Sequence, residues 1–126
     1  MESSYDRIRY HRIESGQKSK IVAELKKIFA IDKRIQLALL FGSITRREYV
    51  RDIDVCVSTF EPLSFKELLD LNVKIELKLK LPVELVDLSV LPTNLKVKIL
   101  EEGILLKGTR TERLRLLSEM EPGTPQ

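Results

Sequence analysis

One cysteine, one histidine and no tryptophan occur in the 126 residues of the sequence. Cys56 alone forms no internal disulfide, and it excludes every zinc or iron–sulfur site built from several cysteines. His11 alone excludes multi-histidine metal sites, and a Ser-His-Asp triad would have to hang on a residue near the N-terminus. Long apolar runs are missing as well. The longest, Leu37 to Phe41, is far short of the roughly 20 residues of a membrane helix. Met1 to Asp6 lack the apolar stretch of a secretory signal. A cytoplasmic protein with no membrane partner is the expectation, its catalysis resting on carboxylates, hydroxyls and backbone dipoles.

What is present is a globular composition, 43% hydrophobic and 33% charged, and a length that sets a prior of one domain at about 150 residues per domain. The net charge of +3 is too small to mark a nucleic-acid binder. Residues 1–18 are polar and basic and read as an N-terminal arm. A single folded domain is expected over 19–118, and a frayed tail, with Pro122, Gly123 and Pro125, over 119–126.

Within the domain, Ile21, Val22, Leu25, Ile28 and Phe29 recur at three- and four-residue steps and predict a helix from Ser19. Ile35 to Phe41, closed by Gly42-Ser43, reads as a buried strand. A polar loop from Ile44 to Arg51 leads to a second strand over Asp52 to Ser58. Ser64 and Glu67 form a capping box opening a helix. The strict alternation from Leu71 to Leu81 argues for a strand, whereas length, Lys and Glu content and Pro82 argue for a helix, which is the preferred reading. A third strand over Val83–Leu88, a helix over Asn94–Glu102, a strand over Ile104–Lys107 and a last helix capped by Thr109 or Thr111 complete an α/β (α+β) order.

The chemistry concentrates between Phe41 and Asp54. On a strand, Asp52 and Asp54 project from one face while Ile53, Val55 and Val57 enter the core. Two adjacent carboxylates repel, and a divalent cation relieves that conflict. Mg²⁺ favours one or two carboxylates together with substrate phosphates. Gly42-Ser43 after a buried strand lets backbone approach a phosphate, with the Ser43 hydroxyl and the Arg46 charge beside it. The duller alternatives are solvated aspartates, a plain turn, and a loop cluster of Arg46, Arg47 and Arg51. His11 reads as an exposed arm residue and Cys56 as a small buried hydrophobe. Tyr49 is left open between a site residue and a loop anchor.

Phe41-Gly42-Ser43, Arg46 and Asp52-Ile53-Asp54 resemble the signature of the DNA polymerase β-type nucleotidyltransferase superfamily, and most of all its minimal (MNT) members. Val83 to Leu88 is similar to the strand carrying the third carboxylate, and Leu95 to Leu106 to the closing helix and strand. The resemblance runs from about Ile21 to Lys107. It implies a mixed sheet with flanking helices. It also implies nucleotide binding by Gly42, Ser43 and Arg46, and two Mg²⁺ ions held by Asp52, Asp54 and a third acid. That acid aligns with Glu84, with Asp87 as the alternative. The resemblance implies transfer of AMP from ATP to a hydroxyl of a partner protein, as the antitoxin of a HEPN-type toxin. Homo- or hetero-oligomers are compatible with it, and nucleic acid is not the expected partner. A rival reading is a catalytically degenerate member that neutralises an RNase by binding alone. Three departures bear on that rival. Eight residues separate Ser43 from Asp52 where ten are usual, Arg47 and Arg51 replace a customary glycine and serine, and Glu84 replaces the customary aspartate.

Overall fold

The computed structural model describes residues 10–120. Residues 1–9 of the expected arm and 121–126 of the expected tail lie outside the described residues. The order is β1 (His11–Arg12), α1 (Ser15–Ala30), β2 (Ile35–Phe41), a 3₁₀ turn (Gly42–Thr45) and β3 (Tyr49–Val50). These are followed by β4 (Ile53–Thr59), α2 (Phe65–Leu79), β5 (Val83–Asp87), a 3₁₀ turn (Leu88–Val90), α3 (Thr93–Glu102), β6 (Ile104–Lys107) and α4 (Arg110–Glu119).

Four strands form one sheet in the order β5-β4-β2-β6. The β2–β4 and β2–β6 pairs are antiparallel and β4–β5 is parallel, so the sheet is mixed, as expected. The parallel pair requires a crossover, which α2 supplies. Asn72 fastens that crossover: its side chain donates to the Val83 carbonyl (2.9 Å) and accepts from the Leu85 N–H (2.8 Å).

The ambiguous alternation after Leu71 is two helical stripes interleaved. Leu71 and Ile75 face the core, at 3% and 0% exposure, while Val73 and Leu77 face solvent. Steps of four on both sides of one helix mimic steps of two. The Ser64–Glu67 box forms as expected, with Ser64 Oγ accepting from the Glu67 N–H and Glu67 from the Ser64 N–H. Thr109, not Thr111, caps α4.

Strand alternation splits the apolar residues into two cores. Ala38, Leu40, Ile53, Val55, Val57 and Leu85 pack beneath α1 and α2 with Leu25, Phe29, Leu71 and Ile75. Leu37, Leu39 and Cys56 face the other way, against Leu88, Ile99 and Leu100 of the α3 side.

Corrections fall at the N-terminal end. The first helix begins at Ser15, four residues before the expected Ser19, started by Gln17 accepting from the Glu14 N–H. Within the expected arm over 1–18, His11–Arg12 is a strand and Ser15 onward is helix. His11–Arg12 pairs with Tyr49–Val50, and Ile13 is buried at 1% exposure. Two isolated isoleucines, Ile8 and Ile13, carry too little periodicity to announce a two-residue strand.

Candidate active site

The site stands where the second core reaches the end of the sheet. Direct cross-strand partners share a face. The register sets Phe41 opposite Asp54 and Asp54 opposite Glu84, so β2, β4 and β5 present these three side chains in a row. Asp52 lies one residue before β4 begins at Ile53, not on the strand as expected, yet it joins the same cluster. One oxygen from each of Asp52, Asp54 and Glu84 lies within 4.8 Å of the others.

Electrostatics mark Asp54 as the stressed member. Its half-buried position, then the Asp52 charge, the hydrogen bond to Asp52 and the Glu84 charge push its carboxyl up to about 7, against a smaller opposing pull from Arg51. The carboxylate pairs poorly with its own neighbours, and a cation would relieve it. Three hard oxygen donors suit Mg²⁺ far better than a thiolate- or imidazole-seeking metal. The residues present therefore fit the divalent ions that the resemblance implies.

Gly42 brings the phosphate-side turn against this cluster. Its φ of +81° is a left-handed conformation, and a Cβ built there would stand 2.2 Å from Asp54 Oδ2. Only glycine satisfies both conditions at once. The turn is wound tightly: the Arg46 and Arg47 N–H groups both donate to the Ser43 carbonyl (3.0 and 2.7 Å), and Thr45 Oγ1 donates to the Gly42 carbonyl (2.7 Å).

The two acids of β5 separate cleanly. Glu84 is in the cluster, whereas Asp87 accepts from the Ser89 N–H (2.9 Å) and hydroxyl (2.8 Å), capping the following turn. Cys56 is buried beneath the site, its thiol pushed up to about 12 chiefly by burial and secondarily by Asp87, so it is no nucleophile. His11 sits in β1 opposite Val50, outside the acidic cluster. Arg46 is exposed and lines a cavity of about 190 Å³ with Leu95, Lys98 and Glu102 of α3. Sequence reasoning named α3 as the closing helix and passed over these side chains. Lys98 and Glu102, one turn apart, read in the sequence as a solvated helix face.

A glycine turn packed onto a carboxylate triad, on a mixed sheet with helices on both faces, defines a nucleotidyltransferase-type centre. The family model for polymerase beta nucleotidyltransferases matches residues 23–112. The chain belongs to this family. No curated protein matches it. Among solved structures, the chain resembles one from the complex of a tri-AMPylated Shewanella oneidensis HEPN toxin with an MNT antitoxin. The identity is 25% and the TM-score 0.68, over 82% of each chain. A toxin–antitoxin structure with AMP-PNP is 26% identical, with a TM-score of 0.67, over 80% of this chain and 82% of that one. An MntA–HepT toxin–antitoxin structure shares the fold at 24% identity and a TM-score of 0.67, over 81% and 82%. Its structural kin are thus minimal nucleotidyltransferases. No helix of the described residues is long and apolar enough to cross a membrane.

Proposed function

We propose that the chain transfers AMP from ATP to a hydroxyl of a partner protein, as the antitoxin of a HEPN/MNT pair. The observation that carries this reading is the convergence of Asp52, Asp54 and Glu84 on the Gly42 turn, within 4.8 Å of one another. Support for the partner comes from the neighbours, one a complex with an AMPylated HEPN toxin and one holding AMP-PNP.

In this reading Asp52 and Asp54 hold the Mg²⁺ ions and Glu84 completes the set. Bound Mg²⁺ supplies charge neutralisation at the triphosphate and Lewis acidity at the α-phosphate. Gly42 and Ser43 seat the triphosphate, and Arg46 adds positive charge. Glu84, the exposed member of the triad, takes the proton of the incoming hydroxyl. That oxygen forms a bond to the α-phosphorus as the bond to pyrophosphate breaks, and pyrophosphate leaves. The chain contributes positioning and electrostatic stabilisation, which together supply almost all of the catalysis in phosphoryl transfer.

The test is intact-mass analysis of a HEPN partner after incubation with the chain, ATP and Mg²⁺. Adenylate increments are expected with the wild type and none with the doubly substituted Asp52→Asn/Asp54→Asn chain. A double variant that neutralises the partner fully, beside a wild type that transfers no label, would replace this reading with neutralisation by binding alone.

A further inference from the structure

Resting on that nucleotide reading, we infer that Asn72 of α2 is a positioning residue for Glu84: its carboxamide holds the two peptide groups flanking Glu84 and so aims the third carboxylate at the metal site. Strand β5 is at the edge of the sheet, so one row of its N–H and C=O groups faces no strand. On the inner side the Ile53 N–H of β4 donates to the Pro82 carbonyl (2.9 Å). On the outer side α2 supplies what a strand would. Asn72 Nδ2 donates to the Val83 carbonyl (2.9 Å), the Leu85 N–H donates to Asn72 Oδ1 (2.8 Å), and the Val83 N–H donates to Glu76 Oε2 (2.8 Å).

The residue type suits the task. The Val83 carbonyl belongs to the planar peptide before the Glu84 Cα, and the Leu85 N–H to the one after it. One side chain therefore holds both planes, which fixes φ and ψ of Glu84 and with them the direction of its Cα–Cβ bond. Spanning a carbonyl and an N–H takes a donor and an acceptor side by side. A carboxamide has both, whereas a carboxylate is acceptor-only and leucine is neither.

Glu84 needs this support more than its partners do. Asp54 lies on β4, which has strands on both sides, while Glu84 has a strand on one side only. Glu84 is also the exposed member of the triad, so burial does little to hold it. Groups that orient a metal ligand from behind typically carry roughly 10–100-fold in affinity or activity. Glu76, one turn further along α2, supplies the contrast. It binds the Val83 N–H, on the peptide one removed from Glu84, and so grips the same strand without fixing the acid.

The experiment compares the full chain with Asn72→Leu, Asn72→Ala and Glu76→Ala, all assayed below the lowest melting temperature of the set. Asn72→Leu keeps the side chain's approximate shape and removes both bonds, and Asn72→Ala carries the test should leucine prevent folding. Mg²⁺ alone, titrated calorimetrically into the metal-free chain, is expected to bind the Asn72 variants about tenfold more weakly and Glu76→Ala unchanged. In AMP transfer to the partner, kcat of the Asn72 variants should fall about tenfold while KM for ATP stays within about twofold, because Gly42, Ser43 and Arg46 still seat the triphosphate. In a Glu84→Gln background the Asn72 substitutions should cost less than about twofold more, since the carboxylate they aim is already gone. Equal losses in the Asn72 and Glu76 variants, or the same loss with and without Glu84, would mean that Asn72 only fastens the fold. Either result, or unchanged Mg²⁺ affinity in the Asn72 variants, overturns the proposal and leaves the nucleotide reading standing. A wild type that binds Mg²⁺ but transfers nothing overturns the transfer reading alone, and the Mg²⁺ affinities still decide the role of Asn72. A wild type that does neither overturns the nucleotide reading and the assignment of Asn72 with it.

Discussion

The two faces of the sheet are built for different purposes. Among the described residues, eighteen buried side chains pack on the α1/α2 face and six on the α3 face. One strand serves both: Ile53, Val55 and Val57 of β4 enter the large core, while Asp54 and Cys56 face the small one. Each fully buried aliphatic or aromatic side chain contributes about 1.5–3 kcal/mol, so the large face carries most of the stability. That surplus lets the other face end in three carboxylates that repel one another. A residue's face thus predicts whether its loss is felt in folding or in chemistry.

The sharpest test sets one variant from each face side by side. Asp54→Asn is expected to lower AMP transfer at least about 1,000-fold, the scale of a group whose role lies in the transition state. Removing one of three like charges should also raise the melting temperature of the metal-free chain. Ile75→Ala, at a fully buried position of α2, is expected to cost about 2–5 kcal/mol and to leave transfer per folded molecule unchanged. Thermal melts and transfer rates on the same samples decide it. Comparable loss of transfer in both variants would dissolve the distinction between the faces.

Gly42→Ala probes the seam where turn and carboxylates meet. A left-handed φ costs alanine about 1–2 kcal/mol, and the new methyl must displace the Asp54 carboxyl, whose Oδ2 would lie 2.2 Å away. A melting point lowered by a few degrees, with transfer down about 100-fold, is the expected pair of results. Stability loss without activity loss would mean that Asp54 moves aside freely.

Glu84 and Asp87 give a smaller contrast within one strand. Glu84→Gln should lower transfer about 100-fold with little change in stability. Asp87→Ala should leave transfer intact and cost about 1 kcal/mol by removing the cap on Ser89. A reversed pattern would make Asp87 the third acid.

How far these assignments were visible beforehand depends on how local their causes are. Ile35–Phe41 and Ile104–Lys107 were readable to the residue, because a glycine or a helix end brackets each apolar run. The Gly42, Asp52 and Asp54 constellation was readable because it lies within thirteen consecutive residues. Choosing Glu84 over Asp87 by geometry needed the β4–β5 register, and the ribbon of His11–Arg12 with Tyr49–Val50 needed a pairing across nearly forty positions. The α3 side chains beside Gly42 escaped notice because Lys98 and Glu102 look like any solvated helix face until the fold sets them beside Arg46.

The smallest effect belongs to the end of the sheet away from the carboxylates. There Asp32, just before β2, accepts from Arg34 Nε (2.9 Å) and Nη2 (2.7 Å). The Arg34 hydrogen bonds hold its carboxyl below the usual range, chiefly through the side chain, against a smaller raising effect of burial. A carboxyl depressed in the folded state stabilises above its unfolded value near 3.8, and that contribution disappears as pH falls through the lower folded value. Asp32→Asn is therefore expected to cost about 1 kcal/mol or less at neutral pH and almost nothing in strong acid. Denaturation midpoints of the two proteins should converge on acidification. Transfer should be unchanged throughout, because Ile35 to Phe41 of β2 separate this pair from the site. A midpoint difference that persists unaltered into strong acid would show that Asp32 acts through packing and not through its charge.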